Sequence, residues 1–261
     1  LWVYRELIYF LTWRDLKVRY KQTLLGASWA ILQPVLQMVV FTLLFDKLAN
    51  LDSDGVPYPI FNYTALLPWG LFSKALMDAG KSLVQNRSMI TKVYFPRLVI
   101  PLASVLSGVV DFAVAFLVLI GLMVYYQLTP ASGYHFTPSW ALLSLIPLLL
   151  LALVAALGAS LWLSAANVLY RDIGYVLPFL SQIWFFATPI VYSSSSIPES
   201  WRFWYALNPM VGVIDGFRWA LLGTPAPNLS WIGASALVAL VLLVSGLVYF
   251  RRMERSFADE I

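Results

Sequence analysis

The sequence predicts an all-α membrane protein that crosses the bilayer several times. Of its 261 residues, 61% are hydrophobic and only 11% are charged, whereas soluble domains carry about 25% charged residues. Several apolar runs approach the roughly 20 residues that cross a bilayer as a helix. These runs are continuous, unlike the alternating strands of a membrane barrel. Helices also satisfy their own backbone groups in lipid, which favours helical spans.

A basic connector predicts the orientation of the spans. Residues 81–97 lie between two apolar runs and contain Lys81, Arg87, Lys92 and Arg97 without any Asp or Glu. Because Lys and Arg are enriched in cytoplasmic loops, we expect this connector on the cytoplasmic side. The rest of the topology follows from it: six spans in one transmembrane domain, with both termini in the cytoplasm.

The charge distribution supports this topology. The predicted spans are about 27–45, 60–80, 98–125, 140–166, 175–192 and 229–250. Thirteen of the 17 Lys and Arg residues lie in segments predicted to be inside, whereas Lys47, Arg202 and Arg218 lie outside. The bias has the sign that cytoplasmic loops require. The net charge of +4 is therefore attributed to those loops rather than to nucleic-acid binding.

Residues 1–25 are predicted to form a helix lying in the membrane surface. Trp2, Tyr9, Trp13 and Tyr20 follow one stripe at helical spacing, and basic residues lie beside it. Aromatic and basic faces suit the headgroup layer. One interpretation is simple anchoring; the other is contact with an anionic lipid-linked substrate or an ATPase subunit. The basic residues concerned are Arg14, Lys17, Arg19 and Lys21.

Residues 196–222 contain two helical pieces that are each too short to cross a bilayer. The stretch from Ser196 to Glu199 reads as a capping box that starts the first piece, and Asn208-Pro209 reads as the start of the second. Asp215 and Arg218 are three residues apart on the second piece and can pair. We expect a re-entrant helical hairpin that lines a cavity, because irregular backbone at membrane depth needs protein or water beside it.

The sequence carries little that points to catalysis or metal binding. It has no cysteine and one histidine, His135, which lacks partners for a metal site. Residues 75–82 approach a phosphate-binding loop, but Ala75 replaces its first glycine and a predicted span takes the place of its strand. Asp52 and Asp54 are interpreted as turn residues. We therefore expect no cofactor, no metal and no enzymatic activity on this chain.

Asp111 is the one acid deep inside a predicted span. Such residues are usually functional. The alternative is a structural carboxylate satisfied by hydroxyl groups at a helix contact, since Ser104 and Ser107 precede it. Lys74 is its nearest candidate partner in sequence, but a rise of about 1.5 Å per residue puts the two at different depths, which argues against a pair. The structural interpretation is preferred.

Five segments form a recognisable combination when they are taken in chain order. They are residues 13–34, 92–97, 170–172, 188–192 and 208–218. Together they resemble the polysaccharide-export permeases of the type-2 ABC transporter class, which are the membrane subunits of O-antigen, capsule and teichoic-acid exporters. The likeness is strongest to the O-antigen permeases and covers nearly the whole chain.

The resemblance implies a type-2 ABC exporter fold in the bacterial inner membrane. It implies a homodimeric pore above two separate ATP-binding cassette subunits, which would carry ATP and Mg. The substrate would be a polysaccharide on a polyprenyl pyrophosphate lipid, and the four basic residues of the N-terminal helix would meet its pyrophosphate. Contact with the ATPase would fall to Gln85, Asn86, Arg87, Ser88, Lys92 and Arg97. The periplasmic gate would include Trp201, Trp204, Tyr205, Asn208, Asp215 and Arg218.

Two other functions stay open on the sequence. One is an exporter of the same class that carries drugs or lipids. The other is a membrane-embedded glycosyl or lipid transferase. A transferase needs a cluster of acids or histidines at one membrane face, and the sequence offers only the pair Asp52 and Asp54.

Overall fold

A computed structural model of the chain describes residues 2–21, 26–129, 134–136, 138–254 and Phe257. Within these ranges it is all-helical and has no strand, as predicted. Its α-helices are α1 Arg5–Lys21, α2 Trp29–Phe41, α3 Tyr58–Gln85, α4 Arg87–Lys92, α5 Val99–Leu128, α6 Leu145–Leu169, α7 Ile173–Phe186, α8 Glu199–Ala206, α9 Pro209–Leu222 and α10 Leu229–Met253. Shorter helical turns cover Trp2–Tyr4, Gly26–Ser28, Thr42–Leu48, Trp140–Ser144 and Ser194–Ser196.

Four helical segments in the described part of the chain are long and apolar enough to cross a membrane. They are Trp29–Leu48, Val99–Leu128, Trp140–Leu169 and Leu229–Met253. They match the first, third, fourth and sixth predicted spans. The N-terminal helix is present as α1, although residues 1 and 22–25 of the predicted range lie outside the described residues.

The second predicted span corresponds to α3, which is the central helix of the bundle and packs mainly against other helices. α3 has 28 residues, 19 of them buried, and it packs against α2, α5, α6, α7 and α9. It is longer than predicted because it continues through Lys81 to Gln85. Its polar side chains can therefore face other helices instead of lipid.

The fifth predicted span, 175–192, extends beyond the end of the helix in the structure. α7 has 14 residues, or about 21 Å of helix, against a hydrocarbon core of about 30 Å. It ends at Phe186, and the predicted continuation to Tyr192 is irregular backbone. The reason is Thr188-Pro189, since proline cannot continue a helical hydrogen-bond ladder. The prediction of six spans is thus confirmed for four of them.

α6 makes the closest helix contacts in the bundle. A Cβ atom added to Gly158 would lie 2.5 Å from the backbone nitrogen of Leu243 on α10. One added to Gly246 would lie 2.6 Å from the Gly158 carbonyl oxygen. On its other side, Ser160 donates to the Ala75 carbonyl at 3.1 Å and Asn167 to that of Gly80 at 3.0 Å. Small residues that allow such approach hold membrane helices together.

A buried apolar cluster joins most of the helices at the end of the bundle that carries residues 81–97. We call it the loop-side cluster. It takes residues from α1, α3, α4, α5, α6 and α10, together with the connector and the segment after α10. Its members are Leu11, Leu83, Ile90, Phe95, Val99, Ile100, Ala103, Leu161, Ala165, Val168, Phe250 and Phe257. This end of the chain therefore packs as one body.

The contact at Gly158 predicts a stability effect. Gly158→Ala should lower the stability of the purified protein by about 1–3 kcal/mol, because a new methyl group must push α10 away. The matched control is Gly233→Ala on α10, where an added Cβ meets no atom within 4 Å. Thermal unfolding in detergent measures both variants. Equal midpoints for the two variants would contradict the close contact.

Candidate functional site

The basic connector folds into a short helix that projects from the bundle. α3 ends at Gln85, and Asn86 turns the chain by donating from its backbone to the Ser82 carbonyl at 3.1 Å and from its side chain to the same carbonyl at 2.8 Å. α4 follows at once. Ile90 is only 7% exposed and anchors α4 in the loop-side cluster. The local fold thus fixes how α4 is presented.

The outer surface of α4 is cationic and aromatic. Among the residues predicted to contact an ATPase, four are exposed: Gln85, Arg87, Ser88 and Lys92. Asn86 is half-buried by its capping role. Tyr94, which the sequence analysis did not single out, is 99% exposed just after α4. A protruding basic surface with an exposed ring suits an acidic protein groove.

Arg97 differs from the other predicted contact residues because it faces the end of α10. Its backbone N–H donates to the Glu254 carboxylate at 3.0 Å, and its guanidinium donates to the Glu254 carbonyl. The guanidinium also lies 5.8 Å from the centre of the Phe257 ring. Arg97 is therefore engaged within the chain.

Asp111 lies in a network of charges where α1, α3 and α5 meet. Lys74 and Arg19 both form ion pairs with its carboxylate, Arg19 at 2.5 Å. Tyr20 donates a hydrogen bond to it as well. The depth argument against a Lys74 pair is wrong, since a long lysine side chain reaches well beyond its own Cα position. The sequence analysis also missed Arg19 as a partner, because 92 residues separate the two.

Arg19 holds two carboxylates at once. Besides Asp111, it bonds Asp78 on α3 at 2.7 Å and the Ser107 hydroxyl at 3.3 Å. Burial and the Asp111 carboxylate raise the pKa of the Tyr20 phenol to about 12, so Tyr20 stays protonated as a donor at neutral pH. The network fastens α1 to the bundle.

The four basic residues predicted to meet the substrate pyrophosphate have different surroundings. Arg14 pairs with Asp15 at 2.8 Å, and Arg19 belongs to the network above. Lys17 lies 5.5 Å from the Trp13 ring, and Lys21 is exposed. A cavity of about 360 Å³ opens beside Arg14 and Arg19. Its lining mixes both charge signs, so it is not a purely cationic anion site.

The opposite end of α3 carries the second region of interest, at the irregular segment 187–198. The caps at the start of α9 form as predicted: Asn208 accepts from the Met210 N–H at 3.0 Å, and Pro209 follows at the first helical position. The Asn208 side chain also donates to Thr188 at 2.8 Å and accepts from Trp184 at 3.0 Å. One asparagine thus joins α7, the irregular segment and α9.

Arg218 is fully buried and binds backbone carbonyls instead of an acid. It donates to Ile190 at 2.8 Å and to Tyr192 at 3.2 Å, and its guanidinium lies 3.6 Å from the Phe61 ring centre. The predicted pair with Asp215 is not among the ion pairs of the described residues, and Asp215 accepts from Ser194 at 2.7 Å. The carbonyls of Ile190 and Tyr192 need hydrogen-bond donors, and Arg218 binds them instead of pairing with Asp215 on its own helix.

α8 exposes large aromatic rings next to this segment. Trp201 and Trp204 are 65% and 66% exposed, whereas Tyr205 donates to the Tyr192 hydroxyl at 2.9 Å. The predicted capping box is wrong: α8 begins at Glu199 after Pro198, without a side-chain cap, and Ser196 lies in the preceding 3₁₀ turn. Proline fixes that junction through its own backbone angle.

A cavity of about 260 Å³ lies beside the irregular segment 187–198, and both charged and apolar side chains line it. Its lining includes Asp54, Asp215, Arg202 and Trp231. Asp54 accepts hydrogen bonds from Ser193 at 2.7 Å, and its N–H donates to Asp52 at 3.1 Å. The latter contact is the predicted turn chemistry. Among the described residues, no three acids, histidines or cysteines form a group that could hold a metal ion.

These features define a class of protein: a polytopic helical membrane protein with a short, basic, exposed helix, α4, at one end and an irregular, aromatic-rich segment at the other. Residues 6–222 match the family described as ABC-2 type transporter. The chain belongs to this family, whose members are the membrane subunits of ABC transporters.

The chain is also similar along its full length to curated proteins. It is 32% identical over 264 aligned positions to an O-antigen export system permease protein of Myxococcus xanthus, covering 100% of this chain and 97% of that protein. It is 28% identical to an O-antigen export system permease protein of Klebsiella pneumoniae (97% and 94%). It is 23% identical to a polysialic acid transport protein of Escherichia coli (93% and 92%).

The charge network predicts the effect of removing its acid. Asp111→Ala should lower stability by about 1–3 kcal/mol, less than the roughly 3–5 kcal/mol of a fully buried pair, because Arg19 and Lys74 are 22% and 32% exposed. Asp52→Ala, at an exposed turn, is the control. In a double-mutant cycle, Lys74→Met should cost less once Asp111 is absent. Additive effects in thermal unfolding would contradict the network.

Proposed function

We propose that this chain is the membrane subunit of an ATP-driven exporter that moves a lipid-linked polysaccharide across the bacterial inner membrane. The observation that carries the proposal is the full-length similarity to permeases named for O-antigen export. The similarity extends over α4, which we propose as the docking helix, and over residues 187–222, which we propose as the gate-side segment.

Movement is supplied by a separate ATP-binding subunit that grips α4. In support, the exposed face of α4 carries Arg87 and Lys92, and residues 81–97 contain no acid. The loop-side cluster fixes α4 to the other helices, so a push on α4 reaches the whole end of the bundle. In this proposal the loop-side end and both termini face the cytoplasm, in keeping with the positive-inside rule.

Two copies of the chain enclose the passage, with one ATP-binding subunit below each. The apolar surface of the helical segment Trp29–Leu48 supports contact with a second copy or with lipid, since Leu36, Val40 and Leu43 are between 47% and 50% exposed. ATP and Mg bind to the partner subunits. This chain makes no covalent change to its cargo.

The cargo enters at the loop-side end with its pyrophosphate near α1. The surroundings of the four basic residues make two of them better candidates for this role. Arg14 and Arg19 already pair with carboxylates, whereas Lys17 and Lys21 are both exposed and have more freedom to meet a phosphate. A flexible ammonium group suits such a passing contact.

The cargo leaves between α8, α9 and the segment 187–198, which form the periplasmic gate as two re-entrant helices. Exposed Trp201 and Trp204 offer faces on which sugar rings stack while the chain slides. The hydrogen bonds from Arg218 and Asn208 hold the irregular backbone that such a gate requires. Inner-membrane lipids surround the remaining apolar surface.

Charge reversal on α4 tests the docking surface. Arg87→Glu combined with Lys92→Glu should reduce co-purification of the ATP-binding subunit by about tenfold or more, because like charges then oppose across the interface. Both side chains are exposed, so the fold should persist. Lys47→Glu, an exposed lysine at the other end, is the matched control. Unchanged co-purification and export would refute the docking assignment.

Reconstitution tests the function itself. Vesicles containing this chain and its ATP-binding subunit should move polyprenyl-pyrophosphate-linked glycan in an ATP-dependent way, as measured by accessibility of the glycan to an added lectin or glycosidase. Free lipid or drug movement without glycan movement would favour the exporter alternative. A new covalent glycan product formed without ATP would favour a transferase.

A further inference from the structure

Two residues that follow α10, Glu254 and Phe257, contact the connector that carries the docking helix. Glu254 follows α10 directly, and its carboxylate accepts from the Arg97 N–H two residues before α5 begins. A carboxylate at this position also interacts favourably with the positive end of the helix dipole. The contact therefore ties the end of the last span to the start of the third.

Two further contacts strengthen this attachment. The Arg97 guanidinium donates to the Glu254 carbonyl. Together with the bond from its N–H, Arg97 therefore donates two hydrogen bonds to Glu254. Phe257 is fully buried and meets Phe250 edge to face, with ring centres 5.4 Å apart. Both rings belong to the loop-side cluster that also holds Ile90 of α4. The attachment is thus polar and apolar at once.

The other part of α10 touches the gate-side helices. The Ser235 hydroxyl is fully buried, accepts from the Gly212 N–H at 3.2 Å and donates to the Asn208 carbonyl at 3.3 Å. A Cβ added to Gly212 would lie 2.7 Å from that hydroxyl, so α9 and α10 are in close contact. The main helix neighbours of α10 are α6, α8 and α9.

We infer that the contacts of Glu254 and Phe257 with the connector form the mechanical link that passes movement of the docking helix through α10 to the gate-side helices α8 and α9, with Arg97 positioning this link. The inference rests on the proposed function of α4 as the ATPase contact. Ser235 and Met253, the residue before Glu254, are 18 residues apart on one continuous helix, or about 27 Å. A straight helix fastened at both positions moves both of its ends together.

Replacement of Glu254 tests the link. Glu254→Ala should leave assembly with the ATP-binding subunit and ATP hydrolysis intact, while the amount of glycan moved per ATP falls roughly 2- to 30-fold, the range for losing one link in a coupling network. Arg251→Ala, which removes an exposed side chain one turn earlier, should leave the ratio unchanged. A wild-type ratio in Glu254→Ala, or loss of co-purification, would overturn the inference.

A restored link gives the second measurement. The double variant Arg97→Cys with Glu254→Cys lacks the natural contacts and should show the same low ratio. A short thiol cross-linker should return it towards the wild-type value, whereas the single-cysteine variants should not respond. A cross-linked protein with an unchanged low ratio would contradict the link, because a purely local role in folding is not restored by a covalent bridge.

Gate movement can be followed without cargo. In the Trp204→Cys variant, which carries its cysteine at an exposed position, ATP should change the thiol-labelling rate, and the change should be much smaller when Glu254→Ala is added. If ATP changes the labelling rate of the Trp204→Cys complex, Glu254→Ala suppresses that change and the unsubstituted complex moves no glycan, the proposed cargo is wrong and the link stands. If both variants change equally, the link is wrong whatever the cargo.

Discussion

The structure depends on the close approach of α6 to its two neighbours. Lipid gives little hydrophobic reward for bringing membrane helices together, so contact area and hydrogen bonds must do so. Gly158 and Gly246 allow α6 and α10 to touch backbone to backbone. Ser160 and Asn167 donate to carbonyls of α3. α6 thereby joins the helix that leads into the connector with the helix that ends beside it.

The two ends of this joined unit use different chemistry. At the loop-side end, ion pairs and an apolar cluster hold α1, α4 and the segment after α10. At the other end, a buried arginine binds main-chain carbonyls where α7 stops early. Buried carbonyls without helical partners need donors, and Arg218 supplies them with its planar fork. One end therefore suits attachment, and the other keeps an irregular chain in place.

Much of the fold could be predicted because local sequence patterns determine where most of the long helices lie. Continuous apolar runs predicted α5, α6 and α10, and Asn208-Pro209 predicted the start of α9. The basic composition of the connector singled out the loop in which α4 forms, but it did not predict the helix itself. Where capping or aromatic residues marked a helix end, the predicted end and the observed end differ by only a few residues.

The rest depends on contacts between distant residues, which one sequence does not reveal. No local pattern joins Arg19 to Asp111, 92 residues away, or Arg97 to Glu254, 157 residues away. The spacing of Asp215 and Arg218 favoured a pair, but tertiary carbonyls and Ser194 bound them instead. The apolar run through Val191 favoured a longer α7, whereas Thr188-Pro189 ends it.

The central claim is that α4 lies in the cytoplasm while the segment 187–198 lies on the opposite side. Single cysteines at Ser88 and Ser195, placed in the cysteine-free sequence, can be labelled in intact spheroplasts with a membrane-impermeant thiol reagent. The account predicts that the cysteine at Ser195 reacts at once and that the one at Ser88 reacts only after permeabilisation. Immediate labelling at Ser88 with protection at Ser195 would contradict the account.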